Sequence, residues 1–539
     1  MRRLGKWLLV AVAAVVVLAI VAVVTFPRIV DTPRVQSLIA SGAAQALGRS
    51  VKFRSVSVAV LPRPVVRLHA FEIAEDASFG GGPFLRLDEA DLRLKLPPLL
   101  RGRVEFATLV LKQPRIVLIQ GPEGRWNFSS LGAPRETATV PRASRGGAGG
   151  AAPAVLVSRV VIDKGLVTYE VRGWGKEAPR YRLEDLDLTL STRAGALSFA
   201  GTARVAPGEI GVKLTEGTLG LSGARTLADA SVRARVALDG KDVRPLVAAA
   251  LGPEPAIAGA LTVRLHVAGT VSRPRASGDV ELRSLEVTRT NPGCAEPKRR
   301  TLSLSTAKAN VSWEDGRLLV QPLTAEIAGG TITTKLVVTS APGAAAELSG
   351  LLLDAIPLER VLVDFLCQGY AVAGPLDLTG VLGLSPTDPW RTLSGNGQFR
   401  IGGGRIVGAR ALALLGGVVR VTGTVASVLS LDVPTSTFSS PVEFESITGS
   451  YQIRNGVVTT RDLLYTSRAM KARVAGDYAL TTGQMNLDVM VDLGRGQLQA
   501  KVAGTAASPS IRVVRATLLR QVEPEKVERG LKDLLKKFR

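Results

Sequence analysis

The chain is poor in the side chains through which most enzymes act. In 539 residues there are two histidines, His69 and His266, and two cysteines, Cys294 and Cys367. Each histidine sits inside an alternating, strand-like segment, far from any Cys or carboxylate cluster with ligand spacing. Neither reads as a metal ligand or a general base. No HExxH, GxSxG or CxxC pattern occurs. Gly175-Lys176 is followed by Glu177, and residue 170 is Glu170, so a phosphate loop fails at both ends. Gly402-Gly403-Gly404 lies among strand signals with no helix behind it to receive a phosphate, and reads as a turn or bulge. The adjacent carboxylates Asp88-Glu89 and Glu184-Asp185 fall at expected turns. The chain is therefore read as a non-enzyme, with no catalytic residue, no metal site and no cofactor. Aromatic residues are also scarce, at 4%, which leaves few positions for stacking bases and argues against a nucleic-acid partner. The net charge of +22 needs another explanation. The basic residues are spread singly, and the densest runs, Lys298-Arg299-Arg300 and Lys536-Lys537, are short. Such spacing fits a solvated basic face or a face that meets anionic lipid headgroups.

What the chain does have is one long hydrophobic run. Residues 7–26 carry no charge. As a helix they would extend roughly 30 Å, the thickness of a bilayer's hydrocarbon core. Arg2, Arg3 and Lys6 precede the run, which favours a cytoplasmic N-terminus and places the rest of the chain across the membrane. A cleaved signal peptide is the competing reading. Its apolar core would normally be about 7–15 residues, followed by a small-x-small site, and Val23-Val24-Thr25-Phe26-Pro27 supplies no such site. An uncleaved single-pass anchor is the expectation. In an oxidising compartment Cys294 and Cys367 could bridge, although their spacing says little about geometry.

Beyond the anchor, Asp31-Thr32-Pro33 resembles a helix start, and Gly48 can close that helix in a left-handed cap. From residue 51 the apolar period changes from helical to two. Val56, Val58 and Val60 alternate with Ser57 and Ala59. In 90–96, Leu92, Leu94 and Leu96 point one way and Asp91, Arg93 and Lys95 the other. Pro114 divides 109–120 into two strand pieces, and a Gly-rich turn then delivers Trp126-Asn127-Phe128. Residues 132–153 are Ala, Gly, Pro, Arg and Ser with little to bury, and read as a linker. Strand signals return at 160–171, 183–190, 261–267, 280–287, 317–323 and 485–491. Hairpin turns are expected at Asp239-Gly240, Asp315-Gly316 and Asn455-Gly456. Short helices are expected at 243–251 and 358–366. Each opens a weak repeat: Pro245-Leu246, then Gly259, then Ser277-Gly278; and Pro357-Leu358, then Gly374, then Ser394-Gly395. Past Pro509 the end reads as a basic amphipathic helix, suited to a membrane surface or to a sheet end.

Several motifs, in this order behind a membrane anchor, resemble the AsmA family of inner-membrane-anchored, periplasm-facing proteins. They are Ala46-Leu-Gly-Arg-Ser-Val-Lys-Phe53, Leu94-Lys-Leu-Pro-Pro-Leu-Leu-Arg-Gly102, Leu111-Lys-Gln-Pro-Arg-Ile116, Gly124-Arg-Trp-Asn127 and Ile162-Asp-Lys-Gly-Leu-Val-Thr-Tyr169. Gly397-Gln-Phe-Arg-Ile401, Gly449-Ser-Tyr-Gln-Ile-Arg-Asn-Gly-Val457, Gly476-Asp-Tyr-Ala-Leu480 and Pro509-Ser-Ile-Arg-Val513 resemble the family's C-terminal region. The resemblance implies a long curled β-sheet related to bridge-like lipid transfer proteins, with an apolar inner face along which acyl chains lie. It supplies no catalytic motif.

The expected architecture is mainly β: one transmembrane helix, then an elongated, curled antiparallel β-sheet groove with a few short helices. Its segments are a cytoplasmic tip and anchor (1–26), an N-terminal region (27–131), a flexible linker (132–153), a β-rich middle (154–350), a C-terminal β region (351–513) and an amphipathic helix (514–539). The expected function is binding and transfer of phospholipid at the bacterial inner membrane, supporting the outer membrane. Leu92, Leu94, Leu96, Ile116 and Leu118 are the candidate groove wall. The alternative is a scaffold or assembly factor for outer-membrane proteins, which makes outer-membrane or periplasmic proteins further candidate partners.

Overall fold

A computed structural model describes residues 33–59, 65–80, 82–95, 106–121, 125–131, 158–171, 181–193, 196–224, 227–339, 345–367, 372–385, 388–407, 442–468, 470–492, 496–505 and 508–518. The fold is mainly β with few helices. The predicted anchor, the linker at 132–153 and turn residues 122–124 lie outside the described residues. Among those described, no helix is long and apolar enough to cross a membrane. The chain divides into two compact units, Met1–Gly252 with Leu261–Gly278, and Pro253–Ala260 with Asp279–Arg539.

The first unit opens with helix α1 (Pro33–Leu47), which starts at the predicted proline and ends at Gly48 with φ +70°. Strands follow as β1 (Val51–Lys52), β2 (Ser55–Ala59), β3 (Val65–Ala74), β4 (Pro83–Leu94), β5 (Phe106–Lys112) and β6 (Arg115–Gln120). After the 3-10 turn Asn127–Ser130 come β7 (Arg159–Val171), β8 (Tyr181–Arg193), β9 (Ala196–Ala206), β10 (Ile210–Gly220), β11 (Ser231–Gly240) and, beyond helix α2 (Arg244–Leu251), β12 (Ala256–Gly269, whose residues up to Ala260 belong to the second unit). Most neighbours pair antiparallel, as expected. One junction does not. β5 and β6 both run parallel to β7 while pairing antiparallel with β4. They form one bent strand between β4 and β7, broken at Gln113-Pro114. A parallel neighbour needs a long crossover, and the chain between Gln120 and Arg159 supplies it. Asp239-Gly240 is not a turn. Both residues stay in the ladder, opposite Thr262 and Leu261, and the chain leaves the sheet only afterwards into α2.

The second unit holds β13 (Pro274–Thr290, which begins in the first unit), β14 (Arg299–Glu314), β15 (Arg317–Ile327), β16 (Gly330–Thr339) and β17 (Ala345–Pro357). A π-helix (Glu359–Phe365) stands where a helix was expected. It is followed by β18 (Val372–Ala373), β19 (Pro375–Leu384), β20 (Ser394–Ile401), β21 (Gly404–Ile406), β22 (Val442–Phe444), β23 (Ser446–Arg454), β24 (Val457–Thr466), β25 (Lys471–Ala479), β26 (Gln484–Asp492), β27 (Gly496–Thr505) and β28 (Ser508–Leu518). The Asp315-Gly316 and Asn455-Gly456 hairpins form with both residues at positive φ, as this turn type demands. β28 pairs with β27 through Leu518, so strand continues five residues past 513, where the C-terminal helix was expected to begin. The residues that carry the helical spacing, 527–538, lie outside the described set.

The internal repeat has a backbone signature. Gly278 and Gly395 adopt φ +157° and +158°, and a Cβ on either would sit 1.9 and 2.1 Å from the carbonyl oxygen of Arg264 and of Val381. Gly259 and Gly374 match in the same way, at +149° and +155°. Only glycine lets the two backbones approach this closely.

Candidate functional site

Strands β1 to β10 each carry apolar side chains that converge on one cluster. Its buried members include Val56, Val66, Leu68, Leu85, Leu87, Leu92, Leu111, Ile162 and Leu186. Of the candidate wall, Leu92 is buried in this cluster, and Leu94, Ile116 and Leu118 lie half-buried against it. Leu96 falls outside the described residues. The cluster is partly closed by the chain itself, through Ala43 and Leu47 of α1 and through Phe128 and Leu131.

Strict alternation would not bring these residues to one side. In β3 the inward set is Val66 and Leu68, then Phe71 and Ile73; in β5–β6 it is Leu109 and Leu111, then Ile116 and Leu118. The phase slips once in each strand. At the slip stand residues in left-handed conformation: Ala70, Gln113, Lys164 in β7, Asp185 in β8 and Glu216 in β10, with φ between +48° and +53°. The ladder registers shift beside them, between Ile162 and Gly165, Glu184 and Asp187, and Leu214 and Gly217. These are β-bulges that recur from strand to strand, and each adds local twist while keeping the apolar face inward. Neighbouring carboxylates support the freed backbone. Asp187 accepts from the Lys164 amide at 3.0 Å. In the second unit Asp377 accepts from Ala355 N at 3.0 Å and Asp462 from Ser450 N at 2.8 Å.

The second unit leaves its apolar side more open. Among the described residues of β14, β15 and β16, Val320 and Ile327 are the buried hydrophobics. Leu302, Leu304, Leu318, Leu323, Ile332 and Leu336 are half-buried, while Ser303 and Ser305 are exposed. β20 alternates in the same way, with Gln398 and Arg400 exposed and Phe399 half-buried. A closed core returns where Leu358, Ile401, Ile406, Phe444, Tyr465, Val491 and Leu498 meet. Cys294 and Cys367 are bonded, with Cα atoms 5.4 Å apart, and Asn291 Nδ2 donates to Leu366 O at 2.8 Å beside them. These contacts tie the β13–β14 loop to the end of the π-helix.

A buried polar knot fastens the start of the first unit. Asn127 is fully buried. Its Nδ2 donates to Glu75 Oε2 and to Val117 O, each at 2.8 Å, and its Oδ1 accepts from Ile119 N at 3.0 Å. Arg49, 5% exposed, donates to Asn127 O, to Ser130 Oγ at 2.8 Å and to Glu75 Oε1 at 3.4 Å, and lies over the Phe84 ring. Burial pulls the Arg49 guanidinium below its ordinary pKa, against the opposing charges of Glu75 and Asp76. Burial likewise pushes Asp76 up, but hydrogen bonds from Ser130 and Ser78 and the charge of Arg125 outweigh it and hold that carboxyl at about 2. Two sequence motifs, the one containing Arg49 and the one containing Trp126-Asn127, thus meet in space. The sequence reading placed neither residue in a site.

On the other side of β3–β5, Asp91 is buried, with Arg67 and Lys112 over it at 3.4 and 3.0 Å. His69 is a strand-face residue whose Nε2 lies 2.9 Å from Ser57 Oγ. Among the described residues no three His, Cys, Asp or Glu side chains stand close enough to hold a metal ion.

Comparison with curated proteins found no match, and comparison with solved structures found none. The family model described as AsmA family matches residues 1–216. That stretch contains α1, the Arg49–Asn127 knot and strands β1 to β9, and over it the chain is similar to the AsmA family.

Proposed function

We propose that the chain is a non-enzymatic, membrane-anchored periplasmic protein whose apolar sheet face binds phospholipid and helps transfer it, in support of the outer membrane. The observation that carries this reading is the half-open apolar side of β14–β16. Leu302, Leu304, Leu318, Leu323, Ile332 and Leu336 stand there half-buried, and of the described hydrophobics of these strands Val320 and Ile327 are buried. A sandwich would cover such a face with a second sheet; an acyl chain can cover it instead. At about 25 cal/mol per Å² of apolar surface, a guest of this kind gains several kcal/mol from a few leucines. The face has few specific polar contacts, which suits cargo recognised by its greasiness. The Cys294–Cys367 bond supports a location outside the reducing cytosol, and residues 7–26 supply an anchor of the right length.

The test is extraction of the full chain from membranes in mild detergent, followed by mass spectrometry of what accompanies it. Phospholipid in stoichiometric amount is expected. A chain that carries no lipid, with an outer-membrane client protein bound in its place, would favour the assembly-factor reading.

A further inference from the structure

The face of β4 and β6 opposite the apolar cluster holds a cleft of about 320 Å³, lined by Glu75, Phe79, Pro83, Arg86, Arg115, Val117 and Ile119 among others. Its floor is greasy: Ile119 is 5% exposed and Phe79 6%. Its rim is basic. Arg86 and Arg115 stand directly opposite each other across the β4–β6 ladder. Like charges in that position destabilise a sheet unless an anion stands near them. Arg86 has one, Glu72, at 3.3 Å. Arg115 is exposed and has no ion-pair partner among the described residues. Arg125 adds a third guanidinium, 6.0 Å from the Phe79 ring centre, though Asp76 already neutralises it at 3.3 Å. The Glu75 carboxylate at the base of the cleft is 4% exposed and committed to Arg49 and Asn127, so it does not offset the rim.

We propose that this cleft holds the phosphate of a phospholipid headgroup, with Arg115 as its principal ligand, Arg86 as the second, and Phe79, Val117 and Ile119 under the glycerol and first methylenes. The proposal rests on the lipid-binding reading above and adds where the polar end is held. A guanidinium matches two phosphate oxygens at once, and two guanidinia across one ladder suit a single anion. The volume suits a headgroup and not a whole lipid, so the acyl chains of the lipid held here extend out of the cleft.

The experiment uses the full chain reconstituted in vesicles of phosphatidylethanolamine and phosphatidylglycerol. Two photoreactive phosphatidylglycerols are compared, one with its diazirine on the headgroup and one with it at the acyl terminus. The expected result is headgroup labelling of peptides containing Phe79–Arg86 and Arg115–Ile119. It should fall by about tenfold in Arg115→Gln, the loss of one charge-assisted contact, and further in Arg86→Gln/Arg115→Gln. Arg115→Lys should restore part of it. Acyl-terminus labelling of β14–β16 and amide-exchange protection at Leu87, Leu111 and Ile162 in the first unit should be unchanged in all three, which shows that the variants are folded. Unchanged headgroup labelling in the double variant would overturn the proposal. So would equal labelling of the cleft by a diazirine-bearing diacylglycerol, which has no phosphate. So would erasure of headgroup labelling by inorganic phosphate, which would mark a site for the free ion. Acyl labelling without headgroup labelling sinks the cleft alone; no labelling by either lipid sinks the lipid-binding reading with it.

Discussion

Arg49 shows how one side chain can hold three segments. It joins the end of α1 to Glu75 at the end of β3 and to the backbone of Asn127. Replacing it leaves Glu75 buried without its cation, and loss of one partner of a buried pair typically costs about 3–5 kcal/mol. Arg49→Leu is therefore expected to lower the thermal midpoint by several degrees and to speed amide exchange at Ile119 and Asp76, read by hydrogen exchange. Asp76 makes the same knot sensitive to acid. Its folded pKa, about 2, lies below its ordinary 3.8. The stabilisation it contributes is complete above pH 4 and is lost as pH falls toward 2. Ser130→Ala removes a 2.6 Å hydrogen bond to that carboxylate and lets its pKa rise. Acid unfolding followed by circular dichroism should then begin at a higher pH than in the parent chain; an unchanged onset would separate Asp76 from acid stability.

At the scale of the element, the bulge is the recurring unit. Asp377→Ala should free the Ala355 amide, cost about 1 kcal/mol and raise exchange at Ala355, with little effect at Ile119 in the other unit. The Cys294–Cys367 bond closes a 73-residue separation. On the chain-entropy view its loss costs about 4 kcal/mol. Cys294→Ser/Cys367→Ser should weaken protection across the π-helix and leave the Arg49–Asn127 knot intact. Strands and hairpins were legible in the sequence because a period of two and Asn-Gly or Asp-Gly turns are local signals. α1 and the break at Pro114 were equally so. The bulges were not. Their mark is a slip of phase within one strand, such as Leu109-Leu111 passing to Ile116-Leu118, which a search for strict alternation reads as two unrelated pieces. The parallel pairing of β5–β6 with β7 depends on a crossover that no local pattern announces. Asp239-Gly240 misled because a turn dipeptide also fits a strand end. The end of β28 was misplaced by a few residues, because its last part, up to Leu518, is held by pairing with β27 and not by a local signal. The knot was hidden for a different reason: Arg49 and Asn127 are far apart in sequence, and each looks like a surface residue until its partner is known. Of the candidate wall, Leu92, Leu94, Ile116 and Leu118 do share a face, but one partly closed by α1 and Phe128.

For the whole molecule the account makes one demand: the apolar sides of the strands are the surface that lipid touches. In that case contact must follow the pleat and not the sequence. The direct measurement places a photoreactive amino acid, one position at a time, at Leu302, Ser303, Leu304 and Ser305 of the full chain in living cells, and scores crosslinked phospholipid. Leu302 and Leu304 are half-buried on the apolar side, and Ser303 and Ser305 are exposed on the other. The account predicts strong lipid labelling at 302 and 304 and background at 303 and 305. Labelling that is equal at all four positions, or absent from all four, would contradict it.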